Sequence, residues 1–137
     1  MKKIVHLTSV HPRFDTRIFL KQCVSLAKNH DVSLVVADGR GDQSKDMIQI
    51  YDVGKESTRV KRLLYTRRKV YRKALELDAD IYHLHDPELL LLARKLRRRG
   101  KLVIFDSHED LQKQVLTKSY LNSHVAKLLS FLIIYFE

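Results

Sequence analysis

Apolar positions along the chain follow two alternating rhythms. Short β-rich runs, Lys3 to Thr8, Val32 to Ala37, Met47 to Val53, Ile81 to His85 and Leu102 to Asp106, are separated by longer stretches with helical spacing. That alternation predicts a parallel sheet crossed by helices. The first, second, fourth and fifth runs are nearly continuously apolar, as strands covered on both faces must be. Met47 to Val53 is weaker and predicts an edge strand. The expected class is α/β, an open parallel sheet with helices on both faces.

Between the runs, Thr16 to Asn29 places Phe19, Cys23, Leu26 and Ala27 on one helical face, with Asp15 as N-cap and Phe14 able to staple onto Phe19. From about Ser57 to Leu77, Val60, Leu64, Tyr71, Ala74 and Leu75 make an apolar stripe, with Arg62, Arg68, Lys69, Arg72 and Lys73 largely off it. Asp86-Pro87-Glu88 reads as N-cap, proline at the first helical position and an acid in the first turn, opening a helix that stops at Gly100. Ser107 to Asp110 has capping-box spacing, which puts His108 on a first helical turn. The last segment, residues 119–137, is helical in pattern and apolar on nearly every side. The chain therefore divides into a body, 1–118, and a terminal helix, 119–137, expected to pack on a missing second half or on a partner.

Composition narrows the classes. The 137 residues fit one domain with a real core and leave no room for a second. The single cysteine, Cys23, lies in an apolar periodic stretch and reads as a core residue, and Met1-Lys2-Lys3 runs straight into a strand without a signal peptide's apolar region. A cytoplasmic setting is expected. Lys and Arg outnumber Asp and Glu by 26 to 16, a net charge of +10, so an anionic partner is implied. The excess clusters between Lys55 and Lys73 and between Arg94 and Lys101. Nucleic acid, an anionic membrane, phosphorylated substrates or plain solvated helix faces would each account for it.

In an open parallel sheet of order 3-2-1-4-5, ligands meet the carboxyl ends of the strands where the order reverses, between the first and fourth. The loops there are Ser9 to Asp15 and His85 to Glu88, with Asp106 to Asp110 after the neighbouring strand. Arg13 just precedes the first helix and Arg17 lies just inside it. Free backbone N–H groups, the helix dipole and two guanidinium groups would favour a phosphate or diphosphate. The plainer alternative pairs Arg17 with Asp15 or Asp86. No G-x-G-x-x-G is present, which disfavours a dinucleotide site. His83 and His85 alternate on one strand with Asp86, Asp106, His108, Glu109 and Asp110 nearby, which invites a metal. No tight ligand motif such as H-E-x-x-H occurs and these residues double as helix caps, so no metal is expected and His83 is read as core. His108, at a strand end and on a helix N-terminus, favours a neutral imidazole able to donate a hydrogen bond to a sugar; its alternative role is capping or packing.

The run His11-Pro12-Arg13-Phe14-Asp15-Thr16-Arg17-Ile18-Phe19-Leu20-Lys21, followed by Ser25-Leu26-Ala27 and Asp31-Val32-Ser33-Leu34-Val35, resembles the opening of retaining glycosyltransferases of family 4, of the GT-B fold. Two further segments, Ala79-Asp80-Ile81-Tyr82-His83-Leu84-His85-Asp86-Pro87-Glu88 and Val103-Ile104-Phe105-Asp106-Ser107-His108-Glu109-Asp110, are similar to signatures of that family in the same order. The resemblance covers nearly the whole chain. It implies the Rossmann-like N-terminal half of a two-domain enzyme, with the acceptor held here and most of the nucleotide-sugar donor held by the other half. The paired-glutamate donor motif of that other half is absent, so the chain alone is expected to be inactive.

The resemblance further implies transfer of a sugar from a nucleoside diphosphate sugar to an acceptor with retention, without metal or other cofactor, in cell-surface polysaccharide or glycolipid synthesis. His108 would contact the transferred sugar, and Arg13 and Arg17 would approach the donor diphosphate. Asp15, His85, Asp86, Asp106 and Glu109 are candidate substrate-side groups, with no general base assigned. The partners expected are the donor, a glycan or lipid-linked acceptor, an anionic membrane touched by the basic helix, and a second copy docked through residues 121–136, but no nucleic acid. The competing reading is a non-catalytic basic α/β module that grips nucleic acid or another anionic partner. Against it, Tyr65 and Tyr71 are the only aromatics in the basic helix. A phosphoacceptor receiver domain would want an acidic pair after the first strand, where Thr8-Ser9 stands.

Overall fold

The computed structural model describes residues 1–106, so the helices expected over 107–110 and 119–137, with His108 and Glu109, lie outside the described residues. Six strands form one sheet: β1 (Lys3–Leu7), β2 (Asp31–Val36), β3 (Gln43–Lys45), β4 (Ile48–Asp52), β5 (Ile81–Leu84) and β6 (Leu102–Phe105). Their order is β3-β4-β2-β1-β5-β6, parallel throughout except for β3, which pairs antiparallel with β4. The five apolar runs are thus five adjacent parallel strands in the expected order. The expected edge strand, β4, is covered by β3. A tight turn through Asp46 and Met47, both at positive φ, folds β3 back, as a mirror-image hairpin turn requires.

Among the described residues, three helices pack on the sheet. The first, α1, runs through Thr16–Cys23 and Val24–Leu26, its first segment wound as a π-helix. Asp15 caps it by accepting from the backbone N–H groups of Arg17 and Ile18, and the Phe14 and Phe19 rings meet edge to face at 5.0 Å. Both the cap and the staple follow the sequence pattern.

The second helix, α2, is continuous through Arg59–Lys61, Arg62–Thr66 and Arg67–Leu77, with Thr58 as N-cap and Asp78 in the left-handed region at its end. Its middle segment is again π-wound, and this re-phases the buried stripe to Thr66, Val70 and Ala74. Val60 and Leu64, expected in the stripe, are 64% and 47% exposed. The third helix, α3, begins as a 3-10 turn at Pro87–Leu89, continues through Leu90–Arg98 and ends before Gly100, whose φ of +78° lets the chain reverse.

Strand alternation separates two cores. Val5, Leu7, Val35, Tyr82 and Leu84 pack with α2 and α3 on one face, while Ile4, Val32, Leu34, Ile48 and Ile50 pack with Ile18, Phe19 and Cys23 of α1 on the other. Each fully buried Leu, Ile or Phe contributes about 1.5–3 kcal/mol, so both faces hold the carboxyl ends of β1, β2 and β5 in place. At β6 the covering differs between faces: Phe105 is buried, whereas Leu102 and Ile104 are 58% and 44% exposed.

Candidate functional site

β1 has β2 on one side and β5 on the other, so the reversal of strand order lies between β1 and β5, as the sequence pattern predicts. Asp86, just past β5, joins the two loops there. Its buried carboxylate accepts from Thr8 Oγ1 and from the Ser9 backbone N–H, each at 2.7 Å, and lies 3.1 Å from His11 Nε2. Asp86 has the backbone of an N-cap but makes no side-chain cap bond, because its oxygens are spent on the β1 loop. Burial alone would raise its pKa. The bonds from His11, Thr8 and Ser9 outweigh that and hold it below the usual carboxylate range. His11 shifts upward in return, through its hydrogen bond to Asp86 and the charges of Asp86 and Asp15. The pair is an ionised carboxylate against an imidazole inclined to keep its proton.

The two arginines of the first loop part company. Arg13 is buried, and its guanidinium is spent on both Asp38 oxygens, the Gly41 carbonyl and Gln43 Oε1, at 2.7–3.1 Å. It fastens the loops after β1 and β2 to each other. Arg17 remains partly exposed and reaches across the edge to Asp106 Oδ1 at 2.6 Å, rather than to Asp15 or Asp86. Gln22 binds the other oxygen of Asp106 at 2.7 Å. The π-winding of α1 explains the double reach, since i→i+5 turns bring residues five apart onto one side, which α-winding would not. The N–H groups expected to meet a diphosphate at this helix are partly taken by Asp15.

Beneath Asp106, on the α1 side, three imidazoles gather. Strand register puts His6 beside His83, and alternation puts His85 on the same face. His6 Nδ1 and His85 Nε2 are 2.8 Å apart in nearly parallel rings, and His83 stacks on His85 at 4.5 Å and lies tilted against His6 at 4.7 Å. His83 Nε2 lies 3.8 Å from Asp106, so the cluster supports that carboxylate from below. Burial, and then the proximity of His83, push His6 down to about 3 against the pull of Asp106, so its ring is neutral. Ring nitrogens of His6, His83 and His85 lie within 4.8 Å of one another, a set that suits a borderline cation such as zinc. Here His6 and His85 use their nearest nitrogens on each other. In the sequence His6 is hidden inside an apolar strand, and the signal that marks it is the pairing of its strand position with His83.

A cleft of about 290 Å³ opens on the same edge, beside α2. Ser9 and His11 line it from the β1 loop, Asp38 from the β2 loop, and Arg62 and Thr66 from α2. Glu88 ties its wall together, receiving the Ser9 hydroxyl and the Arg62 Nε at 3.1 Å. Thr66 is fully buried, and its hydroxyl has no hydrogen-bond partner among the described residues. Of the expected site residues, Arg17 and Asp106 meet directly, and Asp15 and Asp86 meet through His11. His85 lies in the imidazole cluster below, and Arg13 lies aside.

No family model and no curated protein sequence matches the chain. Among solved structures, the sucrose-phosphate synthase of Thermosynechococcus elongatus is similar, with a TM-score of 0.67 at 9% identity over 99% of this chain. The chain spans 40% of that protein's length. That neighbour is a glycosyltransferase of the GT-B type, and the likeness is one of fold: this chain has the Rossmann-like architecture of one half of such an enzyme.

Proposed function

We propose that the chain is the acceptor-side half of a glycosyltransferase that moves a sugar from a nucleoside diphosphate sugar to an acceptor with retention, in cell-surface polysaccharide or glycolipid synthesis. The observation that carries this reading is the meeting, on one sheet edge, of the first two motif loops with Asp106 of the third motif. Asp86 links the first two, and the Arg17–Asp106 pair links the first to the third. The fold is that of a GT-B half. The acceptor enters the cleft between the β1 loop and α2, where Ser9, His11 and Arg62 offer polar contacts to sugar hydroxyls. Arg17, 46% exposed, faces the donor diphosphate when the second half closes, releasing Asp106 toward substrate. Developing charge on the departing diphosphate is then met by the Arg17 guanidinium.

His108 contacts the transferred sugar in this reading. In the complete enzyme His108→Ala lowers turnover more than tenfold with stability within about 1 kcal/mol. Unchanged turnover would reduce His108 to a cap. Transfer proceeds without a metal or other cofactor and persists in chelator. Activity lost to chelation and restored by zinc would instead assign the His6, His83 and His85 cluster to the reaction. A product of inverted anomeric configuration would refute retention. The protein works in the cytoplasm against an anionic membrane carrying lipid-linked acceptor, and residues 121–136 pair two copies. Among the described residues no helix is long and apolar enough to cross a membrane.

A further inference from the structure

We propose that the groove between α2 and α3, on the sheet face away from the imidazole cluster, seats the phosphate headgroup of an anionic membrane lipid. The inference rests on the proposed membrane contact and is independent of glycosyl transfer. The groove encloses about 460 Å³, with Leu75 and Leu92 as lining and Arg67, Arg68, Arg72 and Lys95 around it. None of these four cations has a carboxylate within 4.0 Å among the described residues. Elsewhere on α2, Arg62 pairs with Glu88, Lys69 with Glu56 and Lys73 with Glu76, while Arg59 and Lys61 lie on its first turn and do not line the groove. One strip of the helix thus holds uncompensated charge around a hollow, a self-repelling arrangement that an anion relieves.

Tyr71 draws two cations together at the groove. Lys95 Nζ lies 5.1 Å from its ring centroid, and Arg99 Nε donates to its hydroxyl at 3.3 Å. The source of the phosphate follows from the neighbouring side chains. Leu64 and Leu91, 47% and 57% exposed, stand one turn before Arg68 and Lys95 on their respective helices. Val60, 64% exposed, extends the apolar tips along α2. Aliphatic tips beside a band of cations suit a bilayer interface, where the tips enter the acyl boundary and the cations meet phosphates. A free anion has no use for the tips, and a nucleic acid would call for stacking rings in their place.

The test is sedimentation of the purified chain with phosphatidylcholine vesicles, with and without phosphatidylglycerol. Binding is expected only with the anionic lipid. It falls about tenfold or more in an Arg68→Glu/Arg72→Glu double variant, and less than about threefold in Lys69→Glu/Lys73→Glu, which changes the charge equally outside the groove. Circular dichroism checks the fold, and Arg68→Gln/Arg72→Gln replaces the first variant if that one unfolds. Equal losses in both doubles, or none, overturn the groove while leaving membrane contact standing. Titration with soluble dihexanoyl phosphatidylglycerol separates the two ideas. Perturbed amides at Tyr71 and Leu92 without vesicle binding uphold the groove and dismiss the membrane reading. No response in either assay sinks the groove, as does equal competition by inorganic phosphate or preferential binding of RNA.

Discussion

His6 and His11 are separated by one turn of loop, and each has an aspartate in reach, yet their rings are driven in opposite directions. His6, inside β1, is fully buried beside His85 and His83 and is pushed down to about 3 despite Asp106. His11, at the mouth of the same edge, is raised by Asp86 and Asp15. A nearby carboxylate therefore does not decide protonation here. Depth below the sheet edge does, because burial dominates for His6 while a direct hydrogen bond to Asp86 dominates for His11. The lower layer holds a neutral His6, and the upper layer carries the ionised Asp86 beside His11.

The widest test of that contrast is acid stability. With His6 depressed, the unfolded chain binds its proton first, so stability falls as pH drops from about 6.5 toward 3, at about 1.4 kcal/mol per pH unit where only the unfolded state is protonated. Urea unfolding across that window should show this slope, and His6→Leu should flatten it. A wild-type curve already flat between these limits would break the contrast.

Asp86 is next in size. Its pKa is depressed, so its contribution is complete above the unfolded value near 3.9 and vanishes as pH falls through the lower folded value. At neutral pH, Asp86→Ala leaves Thr8, Ser9 and His11 without their acceptor and should cost about 3 kcal/mol in urea unfolding. A loss below about 0.5 kcal/mol would mean water replaces the carboxylate and the loops are not held by it.

The smallest effect sharpens the other side. His11 is raised, so its contribution is full below about 6.5 and fades as pH rises through its folded value. His11→Ala should therefore destabilise by about 1 kcal/mol at pH 5.5 and by less at pH 9. A difference that grows with pH would reverse the assignment.

Much of this edge was legible in the chain. Apolar runs marked five strands, and turn and cap residues marked their loops, because burial on both sheet faces and orphan N–H groups impose strict local demands. Three things were not. Gln43, Ser44 and Lys45 are exposed throughout and carry no burial signal, so β3 is invisible until Asp46 and Met47 turn it onto β4. The π-turns of α1 and α2 change which residues share a side, and no simple periodicity announces them. Partner choice also eluded the pattern: Arg17 selected Asp106 and Asp86 selected the β1 loop because tertiary distance, not sequence spacing, brought them together.

The short strand β3 has a consequence for solubility. A parallel sheet ending at β4 would offer Ile48 to Asp52 as a row of open peptide groups on which another chain could grow. Instead the rim is three polar residues long, runs counter to its neighbours, and holds Lys45 over the Phe14 ring at 4.4 Å. An incoming strand would have to desolvate that lysine for only a few hydrogen bonds, so fibrillar growth from this rim is discouraged.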